Sequence, residues 1–181
     1  EKGKVHICEN FYRDEAVDAD LDGETEGTMR IYQERTDMDL VCLMEGKMPA
    51  AKDEIAIDRM YADNNSLKVG DKLQIEGKEL LVTGLVALSD YSCLFSNNSD
   101  MMFDAVKFGV AIMTEEGAEQ FGTTHLEYRY SWQYEKEPVD DIQEKEMSED
   151  FLDVLVKYAN VTGFIPKYVN QAINFTGEDM G

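Results

Sequence analysis

Positive charge is scarce in this chain beside negative charge. Seventeen Lys and Arg stand against 38 Asp and Glu, a formal net charge of −21. A surface this negative repels phosphate backbones, whose binding depends on Lys and Arg displacing counterions, so nucleic acid is excluded as a partner. It also disfavours lying flat on anionic lipid headgroups. Cysteine is scarce: Cys8, Cys42 and Cys93 are odd in number and show no Cys-x-x-Cys or Cys/His spacing, so zinc has no ligand set. The expectation is three small buried apolar residues with no disulfide. Histidine is limited to His6 and His125. His6 and Cys8 share a strand face but lack an orienting third group, so nucleophilic catalysis has little to stand on. Gly-x-Ser-x-Gly elbows, Walker motifs and Gly-rich phosphate loops are absent. No run approaches the ~20 apolar residues that span a bilayer. No secretory signal is visible. Because the chain starts at Glu1 rather than Met, the expectation is a piece excised from a larger protein.

What is present suffices for a core. The 181 residues are 43% hydrophobic and 10% aromatic, so a single domain, 1–181, is expected. The acidity suits solubility, cationic partners or divalent ions. Residues 4–12 and 28–35 alternate as strands, the second half-exposed with Met29 and Ile31 on one face; the acidic 13–27 between them reads as turn-rich. Residues 39–46 are a short apolar run ended by Gly46. Residues 54–59 read as a strand with Ile55 and Ile57 inward, after which Asp58 can cap a short helix and Asn64 or Asn65 can stop it in the left-handed region. Glu76-Gly77 turns a hairpin into a strand buried on both faces from Leu80 to Leu88. The candidate core is Ile55, Ile57, Leu73, Ile75, Val82 and Leu85.

From about 105 to 160 the order is strand, helix, strand, helix, an α+β sub-lobe. Residues 105–114 are a strongly apolar strand, and Thr114 can cap the helix that follows. Residues 125–135 alternate most clearly, with Tyr128, Tyr130, Trp132 and Tyr134 on one face. That face is expected to pack on the acidic helix that follows Pro138, whose better half begins at Ser148 and which carries the apolar stripe Met147, Phe151, Val154, Leu155 and Tyr158; a sugar-stacking platform is the alternative. Residues 164–175 read equally as helix or strand. The fold class is α+β, with mixed and antiparallel sheets and a few short helices. Four Asn-x-Ser/Thr sequons begin at Asn64, Asn97, Asn160 and Asn174.

One loop carries candidate ligands. In "DADLDGETEGTM", residues 18–29, Asp18, Asp20, Asp22, Glu24 and Glu26 occupy ligand positions of an EF-hand calcium loop around Gly23. Met29 stands where that loop needs a bidentate Glu, and strands flank it in place of helices. An acidic hairpin loop is therefore the expected reading, with weak calcium binding as the alternative.

The run "EGKMPAAKDEIAIDRMYADNNSLKVGDKLQIEGKELLVTGLVAL", residues 45–88, resembles the extracytoplasmic region of MacB/FtsX-type ABC transporter permeases. There a G-x-x-P…EIAI segment leads to a short helix, and KVGD opens a hairpin ending in V-x-G-L/I-V. The run "NSDMMFDAVKFGVAIMTEEG", residues 98–117, is similar to versions from Gram-positive anaerobes. The resemblance is best over about 44–117. It implies a non-catalytic extracellular domain, with no cofactor, held at the cell membrane between the first and second transmembrane helices of a permease. It further implies a permease dimer, a cytoplasmic ATPase subunit, and an extracellular substrate or partner moved when the ATPases close. The alternative is a secreted acidic module that binds calcium or cationic peptide.

Overall fold

A computed structural model of the chain describes residues 4–34, 40–89, 91 and 104–170. Cys93, the sequons at Asn97 and Asn174, and 171–175 lie outside the described residues. Ten strands, three α-helices and a 3-10 turn are described: β1 (Val5–Glu9), β2 (Tyr12–Asp18), β3 (Gly27–Gln33), β4 (Val41–Gly46), β5 (Glu54–Asp58), α1 (Arg59–Asn64), β6 (Lys72–Ile75), β7 (Lys78–Leu88), β8 (Phe108–Met113), α2 (Glu115–Glu119), β9 (Leu126–Glu127), β10 (Tyr130–Tyr134), α3 (Asp141–Leu155) and the turn Lys167–Val169. The α+β class with mixed sheets is as expected. No helix among the described residues is long and apolar enough to cross a membrane.

Six strands close into a barrel. The order β3-β8-β5-β7-β6-β2 returns to β3, because β2 also pairs with β3. The β6–β2 seam is short, joining Val17 to Ile75 and Asp18 to Gln74. Two seams, β3–β8 and β5–β7, are parallel; the rest are antiparallel. Closure removes sheet edges that would otherwise seek partners. β4 adds to the far end of β7, and β9 adds two residues beside the start of β2.

Register decides which side chains fill the barrel, since residues directly opposite share a face. Met29 and Ile31 line it with Ala111, Ile57, Ile55, Val82, Leu80, Leu73, Ile75 and Val17. Every residue of the candidate core is buried there. Gly27 is required by a close approach: a Cβ at that position would lie 2.2 Å from the Lys107 carbonyl oxygen, which accepts the Thr28 N–H at 2.7 Å. At the hairpin, Glu76 and Gly77 both take positive φ, 47° and 75°, the primed turn that matches strand twist. Asp58 caps α1, accepting from Met60 and Tyr61 amides at 2.8 and 3.2 Å. The left-handed residue after α1 is Ser66 rather than Asn64 or Asn65. Both asparagines instead send their amides back to helix carbonyls, those of Met60 and Tyr61.

Several expectations need correction. Residues 13–18 are a strand, and Arg13, Glu15 and Asp18 within it are buried; only 19–26 turn. β3 is not half-exposed: Arg30 and Tyr32, on its outer face, are covered by Tyr12, Phe108 and Tyr91. Cys8 is half-buried and Cys42 exposed, both free thiols. The alternating run 125–135 breaks at Tyr128-Arg129, sending β9 to the barrel and β10 to a separate two-stranded sheet with β1. α3 starts at Asp141 on an Asp140 cap, as a helix after Pro138 requires, but ends at Leu155, short of Tyr158.

β1, β10 and α3 form an outer layer. Ile7 lies opposite Trp132 and Val5 opposite Tyr134. Trp132 stacks on Phe164 at 4.7 Å and meets Phe151 at 5.5 Å, and the Tyr134 hydroxyl pairs with Ser148 Oγ at 2.8 Å. Half of the expected aromatic face therefore packs on the helix. Tyr128 and Tyr130 do not; they flank Phe11 edge-on and remain exposed.

Candidate functional site

The acidic turn gathers four of its five candidate residues. Carboxylate oxygens of Asp18, Asp20, Asp22 and Glu26 lie within 4.8 Å of one another; Glu24 is outside that group. The sequence folds this way because each carboxylate accepts a local amide. Asp18 takes those of Leu21 and Gly23 at 2.6 and 2.9 Å, Asp20 that of Asp22, Asp22 that of Glu24, and Glu26 that of Ala19. These bonds hold Leu21 and Gly23 at positive φ. Met29, in the twelfth position, is fully buried in the barrel and offers no ligand. The turn joins β2 to β3 as a hairpin. Its oxygens are the donor type a hard cation takes, but their observed partners are backbone amides.

Two charged clusters went unread in the sequence. On the barrel's outer face, Asp14 binds Arg30 through two bonds of 2.8 and 2.7 Å, and Arg30 also donates to the Tyr91 hydroxyl at 3.1 Å. The guanidinium sits 4.1 Å from the Tyr12 ring centroid. Burial works against the Arg30 charge, but Asp14 and Tyr91 hold its pKa above the ordinary arginine value. Such a bidentate pair pins β2 to β3.

The second cluster lies on the interior side. Arg13 faces Ile31 and Glu15 faces Met29 across the β2–β3 ladder, so both project with the barrel lining. The Arg13 guanidinium donates to the Gly122 carbonyl at 2.6 Å. His125 Nδ1 lies 2.7 Å from Glu15 Oε2. Burial lowers the Arg13 pKa, opposed by Glu15 and Glu119. His125 is pushed the other way, above the ordinary imidazole value, first by its hydrogen bond to Glu15. The signal for this cluster was the alternation Arg13, Glu15, Val17, which reads as a strand once charged positions are allowed inward. The other histidine, His6, is exposed on β1 opposite Gln133, with Cys8 opposite Ser131.

No family model matches the chain, and no curated protein matches it. Among solved structures, the chain is similar to the extracellular domain of the noncanonic ABC-type transporter YknZ from Gram-positive bacteria, at 12% identity over 85% of this chain and 77% of that one, with a TM-score of 0.45. The periplasmic region of MacB from Actinobacillus actinomycetemcomitans gives 9% identity over 89% and 79%, with a TM-score of 0.45. A domain of a permease protein from Porphyromonas gingivalis gives 11% over 90% and 73%, with a TM-score of 0.40. Superpositions at this level leave the role of the chain to be argued from its own residues.

Proposed function

We propose that this chain is the non-catalytic extracellular domain of an ABC transporter permease, relaying ATP-driven movement from a cytoplasmic ATPase to a substrate or partner outside the membrane. The observation that supports the reading is the path of residues 45–88. The order that resembles the permease region, from EIAI through a short helix and KVGD to a hairpin, folds as β5, α1, a tight turn and the β6–β7 hairpin. These elements build contiguous staves of one closed barrel with an apolar interior. A body of this kind transmits force because its packed interior does not deform continuously. In the full-length protein the domain is tethered to the membrane and works in a permease dimer.

The test is made on the native gene product. Its recovery with membranes, with these residues open to protease from outside and an ATPase co-purifying, is the expected result. Recovery only as a free product lacking any membrane-anchored form overturns the proposal. The second reading, a secreted acidic module for calcium or cationic peptide, is favoured by the four clustered carboxylates. Micromolar calcium binding by calorimetry, lost on Asp20→Ala, would support it.

A further inference from the structure

The chain crosses between barrel and outer layer twice, at residues 9–12 and 127–130. The crossings hold one another: the Asn10 amide donates to the Arg129 carbonyl at 2.8 Å, and the Asn10 side chain donates to Ser131 Oγ at 2.8 Å. The crossing from β9 has little backbone holding it to the barrel. β9 meets β2 only at Tyr12–Glu127 and Arg13–Leu126. Among the described residues, side chains add Arg13 on the Gly122 carbonyl, His125 on Glu15 and the Arg129 guanidinium 5.8 Å from the Tyr12 ring centroid.

We propose that His125 and Glu15 form a protonation-dependent latch that clasps residues 122–129, and through them the outer layer, onto the barrel. Glu15 carries the argument. Its side chain is 2% exposed, and its Oε1 accepts no hydrogen bond among the described residues. Arg13 lies 4.0 Å from that oxygen and spends a donor on Gly122. A buried carboxylate so poorly compensated is costly unless a cation stands against it. Arg13 at 4.0 Å meets that need in part; protonated His125, at 2.7 Å, is the nearer cation, and its half-exposed ring is open to solvent.

The charges around the pair favour this assignment. Glu15 on β2 and Glu76 in the β6–β7 turn stabilise the imidazolium, while Arg13 on β2 opposes it and is itself countered by Glu119 on α2. Glu15 dominates, so the folded pKa lies above the ordinary histidine value of about 6.5. The sign follows: the latch is fully closed below that ordinary value and opens as pH rises through the folded one. It follows from the fold and not from the transporter reading.

The test is NMR on the 181-residue chain, following His125 titration and amide hydrogen exchange from about pH 5.5 to 8.5, a range spanning the ordinary histidine pKa. His125 is expected to titrate above the ordinary value. Protection of the 122–129 amides, corrected for intrinsic exchange, should drop several-fold across that midpoint, with β5 and β8 amides unmoved. Glu15→Gln lowers the midpoint and removes the step. His125→Lys, a cation throughout the range, keeps the segment protected at every pH and stands as the second variant if Glu15→Gln does not fold. A His125 midpoint at or below the ordinary value, no step in protection at its midpoint, or a step that survives in Glu15→Gln would overturn the latch.

Discussion

The barrel and the outer layer are built from the same alphabet and differ in how completely they use it. In the barrel, Ile55, Ile57, Leu73, Ile75 and Val82 are all at 0% exposure. In the outer layer Ile7, Tyr130, Ile142 and Val154 stay at 40% or more, and Trp132 is only half-buried. A closed sheet covers its own inner face; a two-stranded ribbon with one helix cannot. Stability in this chain is therefore concentrated in the barrel, whereas the outer layer is held by a few aromatic contacts and by its two crossings.

The largest expected effect tests the barrel directly. Ile57→Ala removes a fully buried side chain facing Ala111 and Leu85. It should cost about 2–5 kcal/mol in chemical denaturation, since the closed ring has little room to collapse into the cavity. Next in size is the α1 cap. Asp58→Ala should cost about 1 kcal/mol through two lost amide bonds. Asp58→Asn should cost less at neutral pH, because it keeps an acceptor and drops a charge that burial opposes. Burial pushes the Asp58 pKa up against the two amides that lower it. The folded state therefore holds that proton more tightly than the unfolded chain, and stability falls as pH rises through the folded value. Loss of this slope in Asp58→Asn, read from denaturation midpoints across acid pH, checks the sign; an unchanged slope refutes it.

Where the chain was legible, hydrophobic period and turn chemistry agreed. Ile55, Ile57, Leu73 and Ile75 alternate between turn residues, and all are inside; Glu76-Gly77 names its own turn. Where it was not, charge misled. Arg13, Asp14 and Glu15 read as turn because charged residues are almost never fully buried unless paired, and the partners, Gly122, Arg30 and His125, lie 15 or more residues away. The break at Tyr128-Arg129 was hidden for a related reason. Alternation continues through it, and only pairing with β2 on one side and β1 on the other shows that two sheets share the run. Within the acidic turn, proximity of the four carboxylates was legible from spacing, but their use as amide acceptors was not.

The outer layer has its own reporter, since Trp132 is the chain's one tryptophan. Its fluorescence should change at lower denaturant than the far-ultraviolet signal of the barrel, a non-coincidence that two-state unfolding forbids. Phe151→Ala removes one of the two rings against Trp132. It should lower the fluorescence transition by about 1–2 kcal/mol, because a half-buried ring surrenders less than a core one, and leave the barrel transition in place. A single shared transition that moves as one would show that the layers fold together and that the contrast between them is only one of exposure.

The smallest effect asks whether charge contributes to that contrast at all. One exposed Lys–Glu pair can be taken from each layer. Lys72 meets Glu79 across the β6–β7 ladder at 2.6 Å, each half-exposed, and Lys145 meets Glu149 along α3 at 4.0 Å, each about 60% exposed. Solvent screens both, and the α3 pair also runs Lys before Glu, the poorer order on a helix. Double-mutant cycles should give at most about 0.5 kcal/mol for the first pair and close to nothing for the second, with both fading in high salt. If Lys145→Ala instead unfastened the outer layer, its attachment would be electrostatic and the argument from buried area would fail. With the pair held at 4.0 Å in water, and so many acids surrounding it on α3, the aromatic stack under Trp132 is the stronger bond by a wide margin.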